Sequence, residues 1–352
     1  MSPTTRESRG PRMIDVARLA GVSHQSVSRV VNGSGGVSPD IRDRVERAVA
    51  QLRYRRHPAA RALATNRTFS IGVVSFGLAQ YGPSEALAGI AREAQEAGYS
   101  TSLTSLLDVD VDSMAAAVGH LVDDSVDGII VLAPVDAALT AMAGVEVHVP
   151  LVLFYPGAHA HEQRVVTDEV QGAELATTHL LDLGHPTVHH ISGPAGWLGT
   201  SARVAGWRRA LEARGIHPPA IVEGDWTAAG GAACAAQLAT RTEVSAVFAA
   251  NDQMALGAIK TLNDAGRKVP DDVSVVGFDD IPGSEYFRPP LTTVRFDFAE
   301  AGRRAAHHIF ELIAGGRPGP AGPVLPELIV RGSARHHPLT VIEQTDEQRR
   351  NP

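Results

Sequence analysis

The sequence predicts a small all-α head followed by an α/β body built on parallel sheets, and three observations lead to it. Residues 13–52 carry apolar stripes at helical spacing, broken by a turn short enough only for two helices meeting at an angle. From Ser70 the pattern changes to short β-branched runs alternating with amphipathic helices, as parallel sheets covered on both faces require. The charge is also divided. Residues 1–67 hold 13 arginines, no lysine and 5 acids, about +8, against 19 basic and 34 acidic residues in the remainder, about −15. A basic head on an acidic body implies that the head alone meets a polyanion, which the overall pI of 6.1 conceals.

The opening "MSPTTRESRGPRM" lacks an apolar core, so residues 1–12 read as a disordered tail and not as a signal peptide. Val16, Leu19 and Ala20 form the first helical stripe, and Val27, Val30 and Val31 the second. Between them "AGVS" supplies a glycine turn and then Ser23 as an N-cap. The remaining face of the second helix carries His24, Gln25, Ser28, Arg29 and Asn32, side chains that donate and accept in several directions, as contact with base edges and phosphates demands. For a single amphipathic helix an ordinary solvated face is the competing reading, and the surroundings decide between them. Ser38, Pro39 and Asp40 open a third helix with the apolar stripe Ile41, Val45, Ala48, Val49 and Leu52. The head is thus a three-helix, helix-turn-helix unit over 13–56, and the basic, small-residue segment "RRHPAARALATNRT" reads as a linker.

In the body, "SIGVVSF", "DGIIVLA", "PLVLFY", "VHHISG", "SAVFAAN" and "DVSVVGFDD" are buried-strand candidates. "SEALAGIAREAQEAG", "QGAELATTHLLDLG", "RVAGWRRALEARG" and "QMALGAIKTLNDAG" are the helices between them. The length suffices for two such sheets, which bind ligands outside the carboxyl ends of their strands. No apolar run reaches the length of a membrane span. The lone Cys234, in an alanine-rich helical run, excludes an internal disulfide and a cysteine zinc site and fits a reducing cytoplasm. The pairs His189–His190, His307–His308 and His336–His337 lack partner carboxylates at ligand spacing, so no metal and no cofactor is expected. "GPAGWLG" is the one glycine-rich loop worth testing, and it lacks the ending of a phosphate loop.

The stretch from "MIDVARLAGVSHQSVSRVVNG" through "RRHPAARALA", with "HLLDLGH", "RVAGWRRAL", "EGDW", "ANDQMALGA", "VSVVGFDD" and "PPLTTVRFDF" further on, resembles the lactose-repressor family over roughly residues 13–335. The resemblance implies that His24, Gln25 and Arg29 read bases while Ser23, Ser28 and Asn32 contact phosphates. It implies a hinge helix over 57–67 that pushes Leu63, flanked by small residues such as Ala60, into the minor groove as a wedge. The body, 68–340, would then be two-lobed like the periplasmic sugar-binding proteins. One lobe comprises about 68–167 and 297–325, the other about 168–296 and 326–340, with a flexible tail at 341–352.

Effector contacts would fall on Asp168, Arg203, Trp226, Asn251 and Asp279, a set suited to hydroxyls and one apolar sugar face. Each has a bland alternative, such as Asp279 capping the next helix or Trp226 packing in the core. Tyr155 stands in place of an aspartate, and Phe76 and Phe296 in place of polar residues, while Phe298 is counted with the effector set; a larger or aryl-substituted glycoside follows. The tail has no leucine heptad, so a homodimer on a pseudo-palindromic operator is expected, without a tetramerising coil.

The expected function is a cytoplasmic, DNA-binding transcriptional repressor released by a small sugar, and not an enzyme. The alternatives are the same fold with a co-repressor such as a purine or sugar phosphate, an activator, and, more remotely, a sugar-acting enzyme.

Overall fold

The structure, a computed structural model, describes residues 11–31, 35–54, 67–156, 164–319 and 322–337. It divides into two units, Met1–Thr68 and Phe69–Pro352.

The first unit contains helices α1 (Met13–Ala20), α2 (His24–Val31) and α3 (Pro39–Leu52). Val16, Ala17, Ala20, Val27, Val45 and Ala48 close its core. Gly21 ends α1 in the left-handed region at φ 63°, which a side chain disfavours. The turn is clamped from α3: Arg44 donates through Nε and Nη2 to the Ala20 carbonyl, at 3.0 and 2.6 Å, and through Nη2 to the Gly21 carbonyl at 2.9 Å. A β-carbon on Gly21 would lie 2.7 Å from that Nη2, so the glycine is needed for space as well as for conformation. Ser23 Oγ accepts from the Ser26 amide at 3.1 Å and so caps α2.

The second unit holds two sheets. The first has the order β2-β1-β3-β4-β5, from β1 (Ser70–Ser75), β2 (Ser100–Ser105), β3 (Gly128–Leu132), β4 (Leu151–Pro156) and β5 (Arg164–Thr167), all parallel. Helices α4 (Tyr81–Glu96), α5 (Val111–Asp123) and α6 (Asp136–Met142) alternate with its strands. The second sheet has the order β11-β10-β9-β8-β6-β7, from β6 (His189–Ser192), β7 (Val222–Glu223), β8 (Ala246–Ala249), β9 (Ser274–Asp279), β10 (Thr292–Arg295) and β11 (Glu327–Ile329). Its strands are parallel except that β11 runs antiparallel to β10. Helices α7 (Glu169–Asp182), α8 (Leu198–Glu212), α9 (Ala228–Ala239) and α10 (Asp252–Asp264) alternate with these strands, and α11 (Phe298–Ile313) returns to pack on α4 and the first sheet.

The chain passes between the sheets three times: after Thr167, between Arg295 and Phe298, and beyond Val324, which bridges to Thr167. At the second crossing Phe248, Phe278, Phe296 and Phe298 form a continuous file, with successive ring centroids 6.1, 5.4 and 5.7 Å apart. This aromatic file joins the apolar interiors of the two halves.

Helices α4 and α11 approach closely enough that glycine is required on both. A β-carbon on Gly302 would lie 2.0 Å from the Ala86 carbonyl oxygen, and one on Gly89 would lie 2.1 Å from the Ala299 carbonyl oxygen. Gly302→Ala must force the backbones apart and is expected to cost about 1–3 kcal/mol in urea unfolding. Gly119→Ala, on α5 with open space around it, should be neutral or stabilising by up to about 1 kcal/mol. Equal effects of the two substitutions would contradict the close helix contact.

Candidate functional site

In the head, α2 buries Val27 completely and leaves His24, Gln25 and Arg29 exposed, with Ser28 half-buried beside them. These residues share one helix face at spacings of one, four and five, an amphipathic surface of donors and acceptors. Ser23 is exposed as well, although its hydroxyl already caps α2. Asn32, Ala60 and Leu63 lie outside the described residues.

In the body, a cavity opens where the carboxyl ends of both sets of strands face each other. Gln80 and Gly82 follow β1, Pro134 follows β3, Phe154 is on β4, and Thr167 ends β5. From the other half come Trp197 after β6, Trp226 after β7, Asn251 after β8 and Asp279 at the end of β9. Parallel sheets leave their ligand sites at this edge because the loops and helix N-termini collect there.

The centre of the cavity is Arg203, on the first half of α8 and 7 % exposed. Its Nε donates to Glu169 Oε2 at 2.9 Å, its Nη2 to Asp279 Oδ1 at 3.4 Å, and its Nη1 to the Ala250 carbonyl. The guanidinium carbon lies 4.0 Å from the Phe278 ring centroid and 5.3 Å from that of Trp226, so aromatic faces cover a cation already paired at its edges. Asn251 caps α10 by accepting from the Met254 amide at 2.8 Å, and its Nδ2 donates to the Trp226 carbonyl at 3.0 Å. Trp226 is held at φ 70° and Asp279 at φ 100°, conformations that non-glycine residues rarely adopt.

Behind Asp279, the fully buried Asp252 accepts from the Ile281 amide at 2.9 Å, the Ser284 hydroxyl at 2.6 Å and the Thr293 hydroxyl at 2.5 Å. It thereby fixes the loop after β9. Burial pushes its carboxyl up to about 6 against those hydrogen bonds. Burial also pushes Asp279 up to about 8; Arg203 opposes the shift, and Asp252 and Glu169 add to it.

Of the residues singled out in the sequence, Arg203, Trp226, Asn251, Asp279 and Phe298 line this cavity together. Asp168 does not. Half-exposed, it is the N-cap of α7, accepting from the Gln171 amide at 3.0 Å, and the next residue, Glu169, turns inward in its stead. Phe76 sits behind the wall against Trp197, with centroids 5.7 Å apart, and Phe296 is buried in the aromatic file. Tyr155 is on β4, and its side chain lies outside the described residues.

Glu169, Trp197 and Phe154 were not visible as site residues. The signal for Glu169 was its place one step inside a helix that opens on a strand end; for Trp197 it was the glycine-rich loop after β6. Two of the three histidine pairs have local partners. His190 stacks between Phe248 and Trp207, with centroids 4.6 and 5.4 Å away, and burial lowers it to about 4. His189 faces Arg241, and His307 pairs with Glu93 at 3.2 Å. Among the described residues no group of three or more His, Cys, Asp or Glu side chains could hold a metal.

The position of Asp279 gives a pH dependence with a definite sign. Its carboxyl titrates near 3.8 when unperturbed and near 8 in the folded protein, so the folded state binds the proton more tightly. Its stabilising contribution is complete below the unfolded value and is lost as pH rises to the folded one. The melting temperature of the wild type relative to Asp279→Asn should therefore fall from about pH 4 to about pH 8 and then level off. A gap that widens in favour of the wild type over that range would contradict the assignment.

Comparison with known proteins bears on both sites. Residues 12–57 match the family described as bacterial regulatory proteins, lacI family, and residues 177–334 match a periplasmic binding protein-like domain. The lactose operon repressor of Escherichia coli (strain K12) is 35 % identical over 305 residues, covering 86 % of this chain and 85 % of that protein. The transcriptional repressor PurR of Haemophilus influenzae (strain PittEE) is 32 % identical over 331 residues, covering 91 % and 98 %. Among solved structures, the Lac repressor dimer bound to operator and the anti-inducer ONPF superposes with a TM-score of 0.84 at 32 % identity, covering 93 % of this chain and all of that one. The complex of the regulator CelR with cellobiose gives 0.67 at 32 % identity, covering 92 % and all of that chain. A helical DNA-binding head and a ligand-binding α/β body, alike in sequence and fold to these repressors, establish that this chain belongs to the lacI family of bacterial transcriptional regulators.

Proposed function

We propose that the protein is a repressor that binds a pseudo-palindromic operator as a dimer and loses affinity for it when a neutral glycoside occupies the cavity of the body. The observation that carries this reading is the convergence of Arg203, Asn251, Asp279 and Trp226 at the carboxyl ends of the strands. Arginine, asparagine and a carboxyl group donate to and accept from several hydroxyls, and the indole covers an apolar sugar face. Trp197 and Phe154 extend that apolar wall, which favours a disaccharide or an aryl glycoside over a free monosaccharide. The structures of the Lac repressor bound to ONPG and of the CelR–cellobiose complex support the same ligand class.

On the DNA side, His24, Gln25 and Arg29 are the base readers in this proposal, with Ser23, Ser28 and Asn32 on phosphates and Leu63, beside Ala60, as the minor-groove wedge. An arginine reaching both O6 and N7 of a guanine contributes about 1–3 kcal/mol of discrimination, so Arg29→Ala should relax sequence preference more than it weakens non-specific binding. The two carboxyl groups of the wall, Glu169 and Asp279, are both held on Arg203, which supports a binding role over turnover. Co-repression by a bound purine is the second reading.

Anisotropy of a labelled duplex from upstream of the protein's own gene separates the two readings, with lactose, cellobiose and o-nitrophenyl galactoside added in turn at fixed salt. The proposal predicts that one of them weakens binding by about 5–150-fold, the usual range of allosteric coupling. Tightening by a purine, with no response to any glycoside, would overturn it in favour of co-repression.

A further inference from the structure

We propose that Glu169 sets the charge class of the effector: it neutralises Arg203 from within the wall, so that the cavity accepts hydroxyl-rich ligands without negative charge and excludes phosphate esters and carboxylates. The inference rests on the reading of this cavity as the effector site and adds the residue that decides its selectivity.

Arg203 is the one cation in the wall among the described residues. An anionic ligand would need it, yet its guanidinium is already committed to two buried carboxylates. Glu169 is 4 % exposed and holds Nε at 2.9 Å, and Asp279 is 7 % exposed and holds Nη2 at 3.4 Å. The other oxygen of Glu169 accepts from the Thr167 hydroxyl at 3.3 Å, so this carboxylate is fixed at both ends. The chain also keeps a seat for it. A β-carbon on Gly199 would fall 2.9 Å from Glu169 Oε2, and only the glycine at that helix start leaves the space.

With Glu169 ionised, the sum is unfavourable to anions whether or not Asp279 holds a proton. With both carboxylates ionised the three groups carry −1, and with Asp279 protonated they carry zero. As long as Glu169 carries its charge, the cluster does not become positive. A phosphate ester entering this low-dielectric space would meet the Glu169 charge with no unpaired cation to offset it. A hydroxyl pays no such penalty. A guanidinium has five N–H groups, and the three bonds described leave two for neutral acceptors. Selectivity of this kind comes from a repulsive group built against the wrong ligand, in addition to contacts made with the right one.

The test is isothermal titration of the full chain with inorganic phosphate and with glucose 6-phosphate, for the wild type, Glu169→Gln and Glu169→His. Neither anion should give saturable binding to the wild type up to about 10 mM, while the Gln variant should gain at least about tenfold in affinity for glucose 6-phosphate. The His variant, neutral or positive at this position, should gain at least as much, and thermal melts identify any variant that fails to fold. Saturable millimolar binding of either anion to the wild type overturns the proposal without recourse to a variant. So does a folded Gln or His variant that remains blind to both anions. The outcome separates from that of the operator assay. A variant that gains phosphate affinity in a protein no glycoside moves would leave the charge rule standing and defeat the glycoside reading. A glycoside-responsive protein whose folded variants gain nothing would do the reverse.

Discussion

The body is organised around one buried guanidinium. Arg203 joins α8 to the start of α7 through Glu169, to the end of β9 through Asp279, and to the end of β8 through the Ala250 carbonyl. Each of those three segments ends at the mouth of the cavity, so a single side chain sets the spacing of its floor. Burying a charge is costly unless every partner is present, and removal of one partner from such a cluster costs more than the cluster contributes in net stability. The arrangement is therefore better understood as a device for position than as a source of stability. It holds the polar edges of the site in place while Trp226 and Phe278 shield the cation from water.

Position is also what the strained backbone around it secures. Trp226, Asp279 and Asp280 all have positive φ, and each such residue costs about 1–3 kcal/mol unless its surroundings over-determine it. Here they do. Asn251 holds the Trp226 carbonyl, and Asp252 takes three donors from the chain that follows β9. Asp280 is gripped by Arg295 at 2.8 Å and by Arg331 at 2.7 Å. The last two come from β10 and the residues just after β11, so the loop beneath the cavity is tied to the strands beside two of the chain crossings between the two halves. Any ligand that shifts Asp279 must therefore act on those crossings, which gives binding a physical route to larger movement within the body.

Much of this was legible in the sequence. The head could be read because its turn chemistry is local: Gly21, Ser23 and Pro39 sit where a glycine stop, a hydroxyl cap and a first-turn proline belong. Arg203, Trp226, Asn251 and Asp279 could be named because the motifs that carry them resemble those of the lactose-repressor family. The failures have physical causes. Strand β2 reads "STSLTS" and lies at a sheet edge, with Ser100, Leu103 and Ser105 exposed, so it lacks the apolar run that marked β1 and β3. Strands β7 and β11 have two and three residues, too few for any periodicity. Asp168 and Glu169 are neighbouring acids, and only the geometry of a helix start decides that the first caps the helix while the second turns inward. Phe76 and Phe296 were placed at the pocket by the family resemblance, as standing in place of polar residues. Their packing against Trp197 and within the aromatic file puts them one layer behind it.

The central claim is that the effector sits at the strand ends around Arg203. Hydrogen exchange of the full chain, with and without the glycoside that most weakens operator binding, tests it most directly, because backbone amides report protection segment by segment. The account predicts slower exchange in the loops that frame the cavity, at Gly77–Gly82, Trp197–Arg203, Trp226–Thr227, Ala250–Asn251 and Asp279–Ile281. Protection confined to other segments, such as Arg267–Asp272 and Arg335–His337 on the far side of the second sheet, with those loops unchanged, would contradict it.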